Sequence, residues 1–181
     1  MNNTDYVVQD KGPEFDRDTI HRKLFPVNIR LMKTSSKYCD LVKSTWTYMV
    51  WLLEQTWEDY EGRLTSISGA TIGVPWNIIA FKVADDVRVM INPEIVERSR
   101  ETVLRWTNNP SLRLPHKISL ERNVWITVRY YTVNGDLKYE EKMDSSNGGL
   151  SVQHEVDANN GVMITDRKLL QIQGSSDLNY D

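Results

Sequence analysis

The sequence predicts an α+β fold in which one long helix precedes a run of strands and a second helix follows them. Three observations carry that expectation. Apolar and aromatic residues recur at spacings of three and four between Tyr38 and Tyr60, the stripe of an amphipathic helix. From Ile78 to Met143 one β-branched segment follows another with no helical period between them. Capping residues then precede a last helical stretch at Asp144-Ser145-Ser146-Asn147. A parallel α/β sheet would alternate helix and strand throughout.

Taken in order, residues 1–34 read as a polar, irregular N-terminal arm broken by Pro13 and Pro26. Thr34, Ser35 and Ser36 offer N-cap oxygens, and a helix is predicted from about residue 36 to residue 60, with Gly62 as its stop. Its stripe runs through Tyr38, Leu41, Val42, Trp46, Met49, Leu53 and Trp57, while Trp51 and Leu52 lie off it. Ile67, Gly69, Gly73 and Pro75 mark a loop. Ile78–Val83 and Val87–Asn92 read as strands joined at Asp85-Asp86, the second ended by Asn92-Pro93. Ile95–Arg98 and Thr102–Trp106 are further strand segments. Val124–Tyr131 is the strongest strand signal, with a turn at Asn134-Gly135 and a return strand over Leu137–Met143. The last helix runs through Gln153-His154-Glu155 to Asn159-Asn160-Gly161, loosened in its opening turns by Gly148 and Gly149. The core domain is therefore placed at residues 35–170, with a C-terminal tail over 171–181.

Composition bounds the function. The chain has 181 residues, enough for one sizeable domain. A net charge of −3 with both signs interspersed offers no basic footprint for nucleic acid and no polybasic surface for anionic lipid. No apolar run is long enough to span a membrane. The N-terminal residues lack the basic-then-apolar pattern of a secretion signal, so a cytoplasmic location is expected. Cys39 is the single cysteine, which excludes an intramolecular disulfide and a multi-thiolate metal site; it reads as a small buried or half-buried hydrophobe rather than a nucleophile. The six Trp and eight Tyr beside three Phe form a skewed aromatic set, which either fills the core or lies in part at surfaces that are half apolar and half wet.

Catalytic signals are sparse. His21, His116 and His154 are scattered, with no pair at helical spacing. Gln153-His154-Glu155-Val156-Asp157-Ala158 is the nearest thing to a metal-binding helix. Such a helix needs a second imidazole at i+4, and Ala158 stands there.

The order of motifs around that helix resembles the peptide deformylase family. Gln153-His154-Glu155-Val156-Asp157, then Gly161-Val162-Met163 and Asp166-Arg167, is similar to the family's third motif and the segment after it. Gly69-Ala70-Thr71-Ile72-Gly73-Val74-Pro75-Trp76 stands in the place of the first motif, and Asn109-Pro110-Ser111-Leu112 in that of the second. Ile91–Glu97 and Val124–Gly135 are similar to the strands between them. The resemblance implies mixed or antiparallel sheets packed around a C-terminal motif helix. It also implies a metal held by one cysteine and two histidines, at positions that here carry Ser111, His154 and Ala158. Glu155 keeps the place of the family's proton-shuttling glutamate, and Trp76 replaces a glutamine that stabilises the oxyanion. An indole there is expected to fill the pocket. His116 and Asp157 are the candidate substitute ligands.

These residues lead to the expectation of a degenerate, non-catalytic family member, of a kind that a bacterial virus (bacteriophage) would carry, with no metal and no other cofactor. Its scaffold would serve binding or assembly, with a protein partner, an extended peptide segment, or a place in a virus particle. Trp46, Trp51 and Trp57 are the candidate interaction residues, with Leu24, Phe25 and Val27 of the arm as the alternative cover for that helix. The rival expectation is a residual or altered metal-dependent hydrolase.

Overall fold

The computed structural model describes residues 23–55, 64–107, 118–166 and 171–172. Three helices and eight strands follow in the order α1 (Ile29–Thr34), α2 (Ser36–Glu54), β1 (Ser66–Ser68), β2 (Ile78–Val83), β3 (Asp86–Arg98), β4 (Thr102–Thr107), β5 (Ile118–Asn123), β6 (Trp125–Tyr131), β7 (Leu137–Asp144), α3 (Gly149–Asn159) and β8 (Gln171–Ile172). A 3₁₀ turn, Ile164–Asp166, comes after α3. The fold is α+β, as the sequence predicts. Among the described residues no helix is long and apolar enough to cross a membrane.

One antiparallel sheet runs β1-β2-β3-β6-β7 and a second runs β4-β5-β8. Strand β2 shows how the large sheet sits. Side chains alternate between faces along a strand, and all of Ile78, Ile79, Ala80 and Phe81 are buried. Ile78 and Ala80 join Val42, Met49, Leu52 and Leu53 of α2 in one apolar cluster. Ile79 and Phe81 join Val152 and Val156 of α3 in another. The sheet is therefore packed on both faces, α2 on one and α3 on the other.

Ser35 caps α2, its Oγ accepting from the Tyr38 N–H at 3.4 Å. The helix ends at Glu54, short of the predicted residue 60; Trp57, Tyr60 and Gly62 lie outside the described residues. Leu52, expected off the core stripe, is 1% exposed. The described part of the arm, residues 23–34, is less irregular than its composition implies. Asn28 caps α1, Leu24 and Val27 are buried while Phe25 is exposed, and Phe25 pairs with Trp76 in an isolated parallel bridge.

Three strands were hidden by their composition: β1 is only three residues long, the apolar start of β5 runs into Glu121, Arg122 and Asn123, and β8 is two residues in the segment expected as a tail. Asn92-Pro93 does not end β3, which continues to Arg98 and absorbs the Ile95–Arg98 segment. The register shifts between Ile91 and Glu94, a bulge that accommodates the proline. Asn92 sits there in the left-handed region, φ 52°, and its side-chain amide donates to Val27 O (2.8 Å) and accepts from Val27 N–H (2.7 Å). That one side chain ties the arm to the bulge.

The start of α3 also differs from expectation. Asp144 and Asn147 build the turn ahead of the helix and do not cap it. Asp144 Oδ1 accepts from Ser146 N–H (2.8 Å) and Oγ–H (2.6 Å), and Asn147 Oδ1 accepts from Asp144 N–H (2.7 Å). Gly148 holds the N-cap position at φ 92° with no side-chain bond. A Cβ there would lie 2.6 Å from the Phe81 ring, and one at Gly149 would lie 2.7 Å from Asp144 O. These glycines let the helix approach the sheet; they do not loosen it.

Candidate functional site

Helix α3 carries four buried polar side chains in eleven residues: Gln153, Glu155, Asp157 and Asn159. A buried polar group needs a partner, and the partners show how the helix is fixed. Gln153 clamps the backbone of β5, accepting from Asn123 N–H (2.9 Å) and donating to Asn123 O (3.0 Å) and Gly149 O (3.3 Å). Asp157 forms a buried ion pair with Arg122 of β5. Asn159 reaches the other way. Its amide donates to Asn77 Oδ1 (2.9 Å) and Ile78 O (3.1 Å) and accepts from Ala70 N–H (3.1 Å). Its backbone carbonyl accepts from Leu24 N–H of the arm at 2.8 Å. The small sheet, the first-motif loop, β2 and the arm are thus all tied to one helix.

Glu155 is 3% exposed; its Oε1 accepts from Ser66 Oγ–H of β1 at 2.7 Å, while Oε2 is buried without a hydrogen-bond partner. His154 is half-buried, and its Nδ1 is likewise buried without a partner. Ala158 lies one turn on, on the face of His154, because residues four apart on a helix stand above one another. The two orphaned atoms therefore belong to the one stretch of α3 that the surrounding hydrogen bonds leave unsatisfied.

The first-motif loop is held close to this helix. Gly69 is required there, since a Cβ would lie 2.2 Å from Trp76 O. Trp76 does not extend as a pocket filler beside α3. Its indole meets Tyr38 of α2 edge-on, ring centroids 5.9 Å apart, and packs on the α2 cluster. The next residue, Asn77, is the one whose side chain reaches α3.

The metal implied by the sequence resemblance can be tested against these residues. A catalytic zinc-type centre takes three protein ligands. Ala158 contributes a methyl group where the second imidazole would stand. Asp157, a candidate substitute, directs its carboxylate to Arg122. Among the described residues no three of His, Cys, Asp or Glu come together as a metal site. Ser111 and His116 lie outside the described residues. His154 and Glu155 alone do not make a fit for such a metal.

The sequence pointed to His154, Glu155, Asp157 and Ala158, and the structure places them on one helix as the motif requires. It does not point to Ser66, Asn77, Arg122 or Asn159, which hold that helix in place. Ser66 and Arg122 sit in β1 and β5, strands that the sequence does not mark, so no pattern shows which way they face.

A family model described as polypeptide deformylase matches residues 22–172 of the chain. Among solved structures, the peptide deformylase of Thermotoga maritima is 23% identical, with a TM-score of 0.69 over 87% of this chain and 95% of that one. The actinonin-bound class I type b peptide deformylase of Acinetobacter baumannii is 25% identical, with a TM-score of 0.66 over 87% and 97%. The Plasmodium falciparum peptide deformylase is 20% identical, with a TM-score of 0.65 over 89% and 90%. No curated protein matches the chain.

Proposed function

Because this chain belongs to the polypeptide deformylase family, we propose that it is a member that has kept the scaffold and given up the reaction, and that it acts by binding, as a component of a larger assembly. A virus particle is one such assembly, and the cytoplasm is the other place of action that fits. The observation that carries the reading is Ala158. Helix α3 is intact, held by hydrogen bonds to both sheets, and still lacks the second donor that would close a metal centre around His154. Without a metal, nothing lowers the pKa of a bound water toward ~7, and Glu155 has no activated water from which to take a proton. An extended peptide adding to a strand edge is the binding mode that such a scaffold retains.

A second reading, residual metal-dependent hydrolysis, is favoured by the orphaned His154 Nδ1 and Glu155 Oε2. One experiment separates the two. The purified chain is analysed for zinc, iron and nickel and assayed for deformylation of a formyl-Met peptide with nickel or iron added. Activity is expected to stay at background and metal to be far below stoichiometric. Chelator-sensitive turnover would overturn the proposal. Ser111→Cys with Ala158→His is expected to restore metal uptake, and failure of the folded double variant to take up metal would count against the motif alignment.

A further inference from the structure

The chain holds three Asn-Gly pairs, at residues 134–135, 147–148 and 160–161. In such a pair the glycine backbone nitrogen can close on the asparagine side-chain carbonyl, because no Cβ hinders its approach. The structure sets the three apart. Asn147 has both ends of its side-chain amide turned back along the chain: Oδ1 accepts from Asp144 N–H (2.7 Å) and Nδ2 donates to Lys142 O (3.2 Å). Asn160 donates from Nδ2 to Val156 O (2.8 Å), and the Gly161 N–H is held by Ala158 O (2.9 Å). Asn134 is exposed at the tip of the β6–β7 hairpin, and its side chain has no hydrogen-bond partner among the described residues. The reacting atoms of that pair are restrained by one bond, from Gly135 N–H to Thr132 O at 2.8 Å. Exposed turns open locally at little cost in free energy.

We propose that Asn134 is a site of spontaneous deamidation and that its isoaspartyl product frees the turn from α1. The Gly135 nitrogen attacks Asn134 Cγ, an N–Cγ bond forms, and the Cγ–Nδ2 bond breaks. Nδ2 leaves as ammonia, carrying the proton that the Gly135 nitrogen loses. Water then opens the cyclic imide. Attack at Cγ gives aspartate. Attack at the α-carbonyl gives isoaspartate, whose main chain runs through Cβ and Cγ and is longer by a methylene. Gly135 has no room for that methylene. It sits at φ 80°, and a Cβ built on it would lie 3.0 Å from both Lys33 Cε and Met32 Cε of α1. Its bond to Thr132 O, the bond from Asp136 N–H to Thr132 Oγ1 (3.3 Å) and the Lys33–Asp136 ion pair (3.9 Å) all depend on the present chain length. The new carboxylate also takes the net charge from −3 to −4.

The full chain, incubated in mildly alkaline buffer with and without enough urea to unfold it, is sampled by peptide mass mapping, with enzymatic methylation to count isoaspartyl groups. In the folded chain Asn134 is expected to convert roughly five-fold faster than Asn147 or Asn160, the effect of one hydrogen bond fewer to break. In urea the three rates are expected to draw together, since each pair then has only its local sequence. Asn134→Gln is expected to abolish the leading conversion and leave the other two unchanged, because the longer side chain closes its ring far more slowly. Hydrogen exchange at the Gly135 and Asp136 amides is expected to be faster in the isoaspartyl form than in Asn134→Asp, which carries the same charge on an ordinary main chain. Conversion led by Asn147 or Asn160 in the folded chain would overturn the site, and equal exchange in the two forms would overturn the release from α1. Neither result bears on metal content or turnover, so the proposed loss of catalysis stands or falls separately.

Discussion

Helices α2 and α3 pack on opposite faces of the same sheet, yet they are held there by different physics. α2 is nineteen residues long, capped by a serine, and meets the sheet through Val42, Met49, Leu52 and Leu53. α3 is eleven residues long, starts on a glycine with no side-chain cap, and buries Gln153, Glu155, Asp157 and Asn159 along with Val152 and Val156. Apolar packing is non-directional and tolerates small shifts. Hydrogen bonds and ion pairs fix distances and angles. The helix that carries the family's third motif is thus located by directional contacts to both sheets, and the other helix by burial.

The largest effect that tests this contrast is expected at Arg122. Its guanidinium and the Asp157 carboxylate are both nearly excluded from solvent. Removing one member of a buried pair leaves the other charge uncompensated, at roughly 3–5 kcal/mol. Arg122→Ala is expected to lower the urea midpoint accordingly, whereas Arg122→Met with Asp157→Leu should recover much of the loss, since replacing both partners removes the stranded charge. A single variant no less stable than the double would break the contrast, because α3 would then not depend on the pair.

In α2 the matching change is Leu53→Ala. Leu53 is fully buried, and truncation there leaves a cavity beneath the helix at about 2–5 kcal/mol. No charge is involved, so the loss is expected to be the same at low and high salt in parallel urea titrations. A strong salt dependence would show that electrostatics reach α2 as well.

The same contrast explains what could be read from the sequence. α2 is legible because burial writes a period of three and four into the residue order, and Ser35 announces its start. Its C-terminal limit was not legible, since the apolar pattern continues to Trp57 and Tyr60 past the helix end at Glu54. β6 and β7 are legible from their β-branched residues and the Asn134-Gly135 turn. α3 is announced by Asp144-Ser145-Ser146-Asn147 and by its motif, although those polar residues build the turn ahead of the helix rather than cap it. Its glycines read as defects because nothing in a linear pattern says that Phe81 and the Asp144 backbone will stand against them. β3 was cut at Pro93 because a bulge is a property of the strand pair and not of the strand. At the site, the vertical order His154, Glu155, Ala158 was legible, but the contacts that hold it, from Ser66, Asn77 and Arg122, come from segments up to 89 residues away and leave no local trace.

The smallest effect concerns two tyrosines, one from each region. Tyr130 lies on the α3 side of the sheet. Its Oη–H donates to Glu141 Oε2 at 2.7 Å, and Arg88 Nη2 donates to both, to Glu141 at 2.7 Å and to Tyr130 at 3.1 Å. Burial first, then the hydrogen bond to Glu141 and its negative charge, push the Tyr130 phenol above its ordinary value of 10.0, against a smaller opposing pull from Arg88. Tyr48 on α2 is also raised, by burial alone. A phenol whose folded pKa is raised binds its proton more tightly in the folded chain. Its contribution to stability is therefore complete below the unfolded pKa, near 10, and is lost as pH rises through the folded pKa. Wild-type stability, tracked by denaturant unfolding from about pH 9 upward, is expected to fall with a slope that Tyr130→Phe makes shallower. Tyr48→Phe should change that slope less, because Tyr48 has burial but no carboxylate to hold its proton. Equal slopes for the two variants would mean that the Arg88–Glu141–Tyr130 contact adds nothing beyond burial, and that directional polar contacts on the α3 side of the sheet stop at the helix itself.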